Sequence, residues 1–155
     1  MKIILRATGH DSFYRPQLEE LGIEDIVEIK SGVTYREALV EMLSADGLLL
    51  LQATNSNHQV PAKLYEYFRA GRPILALTDP SSDTANELTA VGTGMIAPLD
   101  DATKIAEAMM QFVRGIQSGE QTGATRSEAL RYSRTSGAEK LAQILEAATE
   151  NPNHH

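Results

Sequence analysis

The sequence predicts an α/β fold: a doubly wound, parallel, five-stranded Rossmann-like sheet with helices on both faces. Three observations lead there. Five short apolar runs, at 2–8, 26–29, 47–51, 73–77 and 95–97, are separated by stretches whose apolar residues recur three and four apart. That alternation of strand and helix is the pattern of parallel sheets with crossover helices. The strongest run, GLLLL at 47–51, is apolar without a break, which suits a parallel strand covered on both faces.

Residues 2–8 (KIILRAT) end at Gly9 and read as the first strand. A helix over 14–21 follows, with Pro16 near its start and Gly22 past its end. After the β-branched run at 26–29, Thr34 and Glu37 form a capping box ahead of Ala38, Leu39, Met42 and Leu43 at helical spacing. A polar loop, 52–59, leads from the leucine run to a helix over 61–70 that Gly71 closes. Strand 73–77, a helix over 84–91 closed by Gly92, and the short strand 95–97 come next. Ile105, Met109, Phe112 and Ile116 mark a long amphipathic helix. Residues 118–125 are polar and small, hence a loop, and helical pattern resumes at 126–132. It breaks near Thr135, and Ser136 with Glu139 forms another capping box. Leu141, Ile144, Leu145 and Ala148 give the last helix one apolar face.

The 155 residues give room for one domain, 1–150, with 151–155 read as a tail or tag remnant. With 42% apolar and 23% charged residues the composition is that of an ordinary globular chain. No apolar run reaches the roughly 18 residues of a membrane span, and the start is too short for a signal-peptide core, so the expectation is a cytoplasmic protein. The absence of cysteine excludes disulfides, thiolate metal sites and thiol nucleophiles. A net charge of −7 argues against nucleic acid as a partner. The histidines are scattered, which leaves no metal-ligand spacing, and there is no P-loop, Gly-x-Gly-x-x-Gly or Gly-x-Ser-x-Gly.

The chemistry is concentrated in 60–77, VPAKLYEYFRAGRPILAL. Pro61 suits a first helical turn, where its missing N–H costs nothing. The amides of Ala62, Lys63 and Leu64 then point out of the helix start, and with the helix dipole they make an anion site. Lys63 adds a point charge suited to phosphate. Glu66 lies one turn beyond Ala62 on the same face, where a carboxylate can accept hydrogen bonds from both hydroxyls of a cis-diol. Leu64, Tyr67, Phe68 and Gly71 are left to pack the helix on the sheet. The competing reading of Lys63 and Glu66 is a solvated helix face with a surface ion pair. His10 and Asp11 follow the first strand, and 79–83 (DPSSD) follows the fourth; both read first as turns and helix caps.

The pattern Pro-x-Lys-Leu-Tyr-Glu-Tyr, then Ala-Gly-Arg-Pro-Ile-Leu-Ala, resembles the donor-binding helix of glycosyltransferase family 4. The resemblance extends to Gly32-Val33, to 44–51 (SADGLLLL), and to Gly94-Met95-Ile96 followed by Asp100-Asp101. It implies the carboxy-terminal half of a retaining GT-B glycosyltransferase that takes a hexose from a nucleoside-diphosphate sugar and needs no metal. Glu66 would hold the ribose hydroxyls, Ala62, Lys63 and Leu64 would meet the diphosphate, and Gly32 and Val33 would lie against the nucleobase. Many members carry a second glutamate where this chain has His58, so His58 stands near the donor sugar.

In that family a further strand and an amino-terminal acceptor domain precede this region. The expectation is therefore that the chain alone transfers no sugar. Peripheral membrane association through that other half is left open. The family's order of strands, 3-2-1-4-5-6, would leave a gap between 2–8 and 47–51 if its first strand is absent. Closure of that gap gives the order 2-1-3-4-5 and is the favoured expectation; a strand from another molecule filling it is the alternative. The rival function is a non-catalytic module that binds a nucleotide or a protein with the same fold.

Overall fold

The computed structural model describes residues 1–150, without the side chain of Glu150. The expectation for 151–155 lies outside the described residues. Along the chain come β1 (Ile3–Arg6), α1 (Asp11–Glu20), β2 (Val27–Lys30), α2 (Tyr35–Ser44), β3 (Leu48–Leu51), α3 (Ala62–Ala70), β4 (Ile74–Leu77), α4 (Asp83–Val91), β5 (Met95–Ala97), α5 (Ala102–Ser118), α6 (Arg126–Leu130) and α7 (Arg134–Glu150). Each run read as a strand is one, and every strand pair is parallel. The chain divides into two compact units, the first covering Met1–Glu41 and the second beginning at Met42.

The first unit is a two-stranded parallel sheet, β1 beside β2, with α1 and the start of α2. Ile3 pairs with Val27 and Arg6 with Lys30. Arg6 reaches the Ser31 carbonyl at 2.7 Å and also pairs with Glu41. α1 begins at Asp11, earlier than its apolar spacing suggests, so Pro16 lies inside the helix. The α2 capping box forms as read: the Thr34 N–H donates to Glu37 at 2.8 Å, and the Glu37 N–H donates back to Thr34 Oγ1 at 3.4 Å.

The second unit is a three-stranded parallel sheet in the order β3-β4-β5. β4 is buried at all four positions and alternates between two cores. Ile74 and Ala76 join Leu48, Leu50, Leu64, Phe68 and Leu88 on one side. Leu75 and Leu77 join Ala97, Ala108 and Phe112 on the other. Helices therefore cover both faces of this sheet, with α3 and α4 on one and α5 on the other. Fully burying a side chain such as Phe68 or Leu64 is worth about 1.5–3 kcal/mol, which is why this unit holds its shape.

The five strands thus do not form one sheet in the order 2-1-3-4-5: the ladder of β1 goes to β2, and that of β3 goes to β4. The first and third strands are apolar, but burial does not follow their composition. No residue of β1 is buried, and Leu51 of β3 is 54% exposed. The strand covered on both faces is β4, whose composition is no more apolar than the leucine run. Composition identifies a strand, whereas its neighbour is chosen by the packing of distant segments.

α7 also starts two residues before the expected cap. Ser133, not Ser136, takes the capping position: its Oγ accepts the Ser136 N–H at 3.1 Å. Among the described residues no helix is long and apolar enough to cross a membrane.

Candidate functional site

In the second unit the loops that follow the carboxyl ends of β3 and β4 are 52–61 and 78–82, and the first of these runs directly into α3. Ligands of open parallel sheets bind at this edge. Pro61 is the residue before the helix, in an extended conformation with φ −66° and ψ 135°, rather than the first helical residue. Its ring fixes the entry angle, and it offers no side chain to cap the free amides. At the far end Gly71 takes φ +63°, a left-handed conformation that closes the helix as its position implied.

The amides of Ala62 and Lys63 donate to no acceptor among the described residues, so they retain the donors of a helix start. Leu64 corrects the expectation. Its N–H donates to the Pro61 carbonyl at 2.9 Å, because the first turn is tight, and its side chain is fully buried in the core. Two amides, not three, remain for a ligand. Lys63 is exposed and forms no ion pair among the described residues. Glu66 is half-buried, and its carboxylate has neither a hydrogen bond nor an ion pair among the described residues. The surface pair between Lys63 and Glu66 is therefore not formed. Tyr67 beside it is buried, and burial, with the Glu66 charge second, pushes its phenol up from the ordinary value.

His58 lies in the loop before α3 and is exposed. Its neighbour Asn57 donates from Nδ2 to Asp79 at 2.8 Å. Asp79 also accepts from the Ser81 N–H at 2.8 Å and from Ser81 Oγ at 2.7 Å. The two bonds from Ser81 and the one from Asn57 hold its carboxyl below the usual carboxylate range. Segment 79–83 is thus the turn and helix cap that its composition indicated, with Ser82 Oγ accepting the Ala85 N–H at the start of α4.

Gly32 and Val33 belong to the first unit, just past the carboxyl end of β2, and both are exposed. A Cβ on Gly32 would lie 3.6 Å from that of Ala7, which itself has φ +55°. Asp11 accepts a hydrogen bond from Thr8 Oγ1 and is the first residue of α1, so it serves the helix start.

One residue of this edge had no place in the sequence argument. Gln52 is 7% exposed, and both of its amide donors and its carbonyl oxygen are engaged. Its Nε2 donates to the carbonyls of Ser56 at 2.8 Å and Gln59 at 2.6 Å, and its Oε1 accepts from Thr78 Oγ1 at 3.1 Å. The signal was present but faint: a glutamine directly after four leucines, with Thr78 at the matching end of the next strand.

Among the described residues no three histidine, aspartate or glutamate side chains gather as a metal site. No family model, curated protein or solved structure matches the chain. The edge offers two free amides on a helix dipole, one exposed cation and one carboxylate, a turn further on, with no ion pair among the described residues.

Proposed function

We propose that the second unit binds a nucleoside diphosphate or its sugar ester at the start of α3, as the donor-binding part of a retaining glycosyl transfer. The observation that carries this reading is the half-buried, unpaired Glu66 one turn from the free amides of Ala62 and Lys63. A diphosphate on the amides, with Lys63 beside it, brings a ribose alongside the helix, where the carboxylate can take both hydroxyls. A helix start also stabilises a leaving diphosphate, the preorganised electrostatic help that such a transfer requires. The likeness of 60–77 to the family 4 donor helix supports the same ligand, and by that likeness the hexose lies toward His58 and the acceptor on a second domain.

Titration with UDP, GDP and ADP, followed by amide shifts, tests the reading. Shifts should centre on Ala62, Lys63 and Glu66. Glu66→Gln should weaken nucleosides and nucleotides alike by about tenfold, the scale of one charge-assisted hydrogen bond. Lys63→Ala should weaken only the phosphorylated ligands. Shifts confined to the residues that precede β3, β4 and β5 would overturn it.

A further inference from the structure

We propose that Gln52 is a positioning residue that holds the loop 53–60, and with it His58 and the entry to α3, in one ready-formed arrangement. The proposal rests on the reading above for what the loop serves, but its geometry stands apart. Three residues of the loop, Ser56, Asn57 and Gln59, are anchored from the end of β3, the turn after β4 and the start of α4. Gln52 Nε2 takes the carbonyls of Ser56 and Gln59. The Asn57 carbonyl accepts the Asp83 N–H at 2.9 Å, and its side chain holds Asp79. Gln59 O accepts a second bond, from Thr84 Oγ1 at 3.3 Å. Behind Gln52, Thr78 Oγ1 lies 3.0 Å from Ser82 Oγ, the cap of α4, and both residues are fully buried. The clamp therefore ties the ends of β3 and β4, the start of α4 and the loop into one hydrogen-bonded group.

A primary amide suits this position because it presents two donors and one acceptor in a plane. Leucine would fill the space but take one donor from each of two loop carbonyls and the acceptor from the Thr78 hydroxyl, leaving the Ser56 carbonyl only the Gln59 N–H, the Gln59 carbonyl only Thr84 Oγ1, and Thr78 only Ser82. Glutamate would behave differently at different pH. As the neutral acid it keeps one donor for one carbonyl; ionised, it faces two carbonyl oxygens with none, and burial raises its titration. The charged groups on the surrounding elements are His58 on the loop, Lys63, Glu66 and Arg69 on α3, and Asp79, Asp83 and Glu87 on the β4–α4 side. None of them bonds to Gln52.

Two readouts on the full chain test this. Hydrogen-exchange protection of the Ser56, Gln59 and Asp83 amides reports the loop, since their bonds are internal to it or hold it down. Affinity for UDP, GDP and ADP reports the site. In Gln52→Leu, loop protection should fall at least tenfold at every pH. In Gln52→Glu it should fall at pH 8 and recover as the pH is lowered toward 5, a profile the wild-type chain lacks. Nucleotide affinity should follow the same pattern. Leu88→Ala, which weakens the core without touching the clamp, should leave the ratio of loop to core protection unchanged. Equal loop protection in wild type and both Gln52 variants would overturn the proposal, as would a loss in Leu88→Ala of the same pattern. If the wild type binds none of the three nucleotides, the donor-binding reading fails, and the loop protection still decides the role of Gln52.

Discussion

A Cβ placed on Gly123 would lie 2.2 Å from the carbonyl carbon of Gly71 and 2.5 Å from the amide nitrogen of Arg72. Neither is the end of a side chain that can swing away, so the backbone itself would have to move. Gly71 cannot yield easily, because it closes α3 with φ +63°. Gly123→Ala should therefore lower stability by about 2–4 kcal/mol, read as a fall in the urea midpoint. Gly119→Ala, with φ +78° but open space around the new Cβ, should cost only about 1 kcal/mol. Positions set by local spacing could be read in the sequence: Lys63 and Glu66 stand on α3 where helical geometry puts them. The Leu64 amide could not, because the tightness of one turn is decided by how Pro61 meets the core. Gln52 was hidden for a different reason. Its partner Thr78 is 26 positions away, and a glutamine at the end of a strand looks like any loop residue.

At the scale of elements, caps were legible and packing partners were not. Thr34 with Glu37 makes its expected box, and Gly71 and Gly92 close α3 and α4 as placed. These signals are local chemistry between residues a turn apart. The box read at Ser136 failed because Ser133 offers the same hydroxyl three residues earlier. How α6 docks on α3 and α4 needed the structure. Tyr132, just past α6, stacks with Tyr65 and Phe68 at ring separations of 5.2 and 5.3 Å. Its hydroxyl donates to Glu87 of α4 at 2.6 Å. Burial first, and then the bond to Glu87, push the Tyr132 phenol up to about 12. The folded chain thus keeps a proton that the unfolded chain releases near pH 10. The unfolded state binds fewer protons between about pH 10 and pH 12, so stability is full below that window and falls as pH rises through it. Tyr132→Phe should flatten this alkaline fall in urea unfolding measured from pH 9 to 12. At neutral pH it should lose about 1 kcal/mol for the bond to Glu87.

Over the whole molecule, stability is unevenly supplied. The second unit holds both apolar clusters, and Leu64, Phe68, Ile74 and Leu88 within it are almost entirely shielded from water. The first unit has one buried apolar residue, Ile29, while Ile4, Phe13, Tyr14 and Leu21 are all more than a third exposed. A two-stranded sheet is marginal on its own in water, and α1 buries none of its residues. The hydrophobic term that must offset the ordering of about 40 residues is accordingly small there, at a backbone cost of about 1–2 kcal/mol per residue. Unfolding should then not be two-state. Amides that tie the β1 segment to the β2 segment, such as those of Ile3 and Ala7, which donate to the Ile26 and Lys30 carbonyls, should exchange through a low-energy opening. Amides paired across β3 and β4, such as Leu48 and Gln52, should exchange only with the opening of the larger core. A denaturant series of hydrogen exchange should resolve the two groups, with the first opening at the lower urea concentration. A single common opening for all four amides would show that the sparse apolar contacts of residues 1–41 are enough to make the chain one cooperative unit.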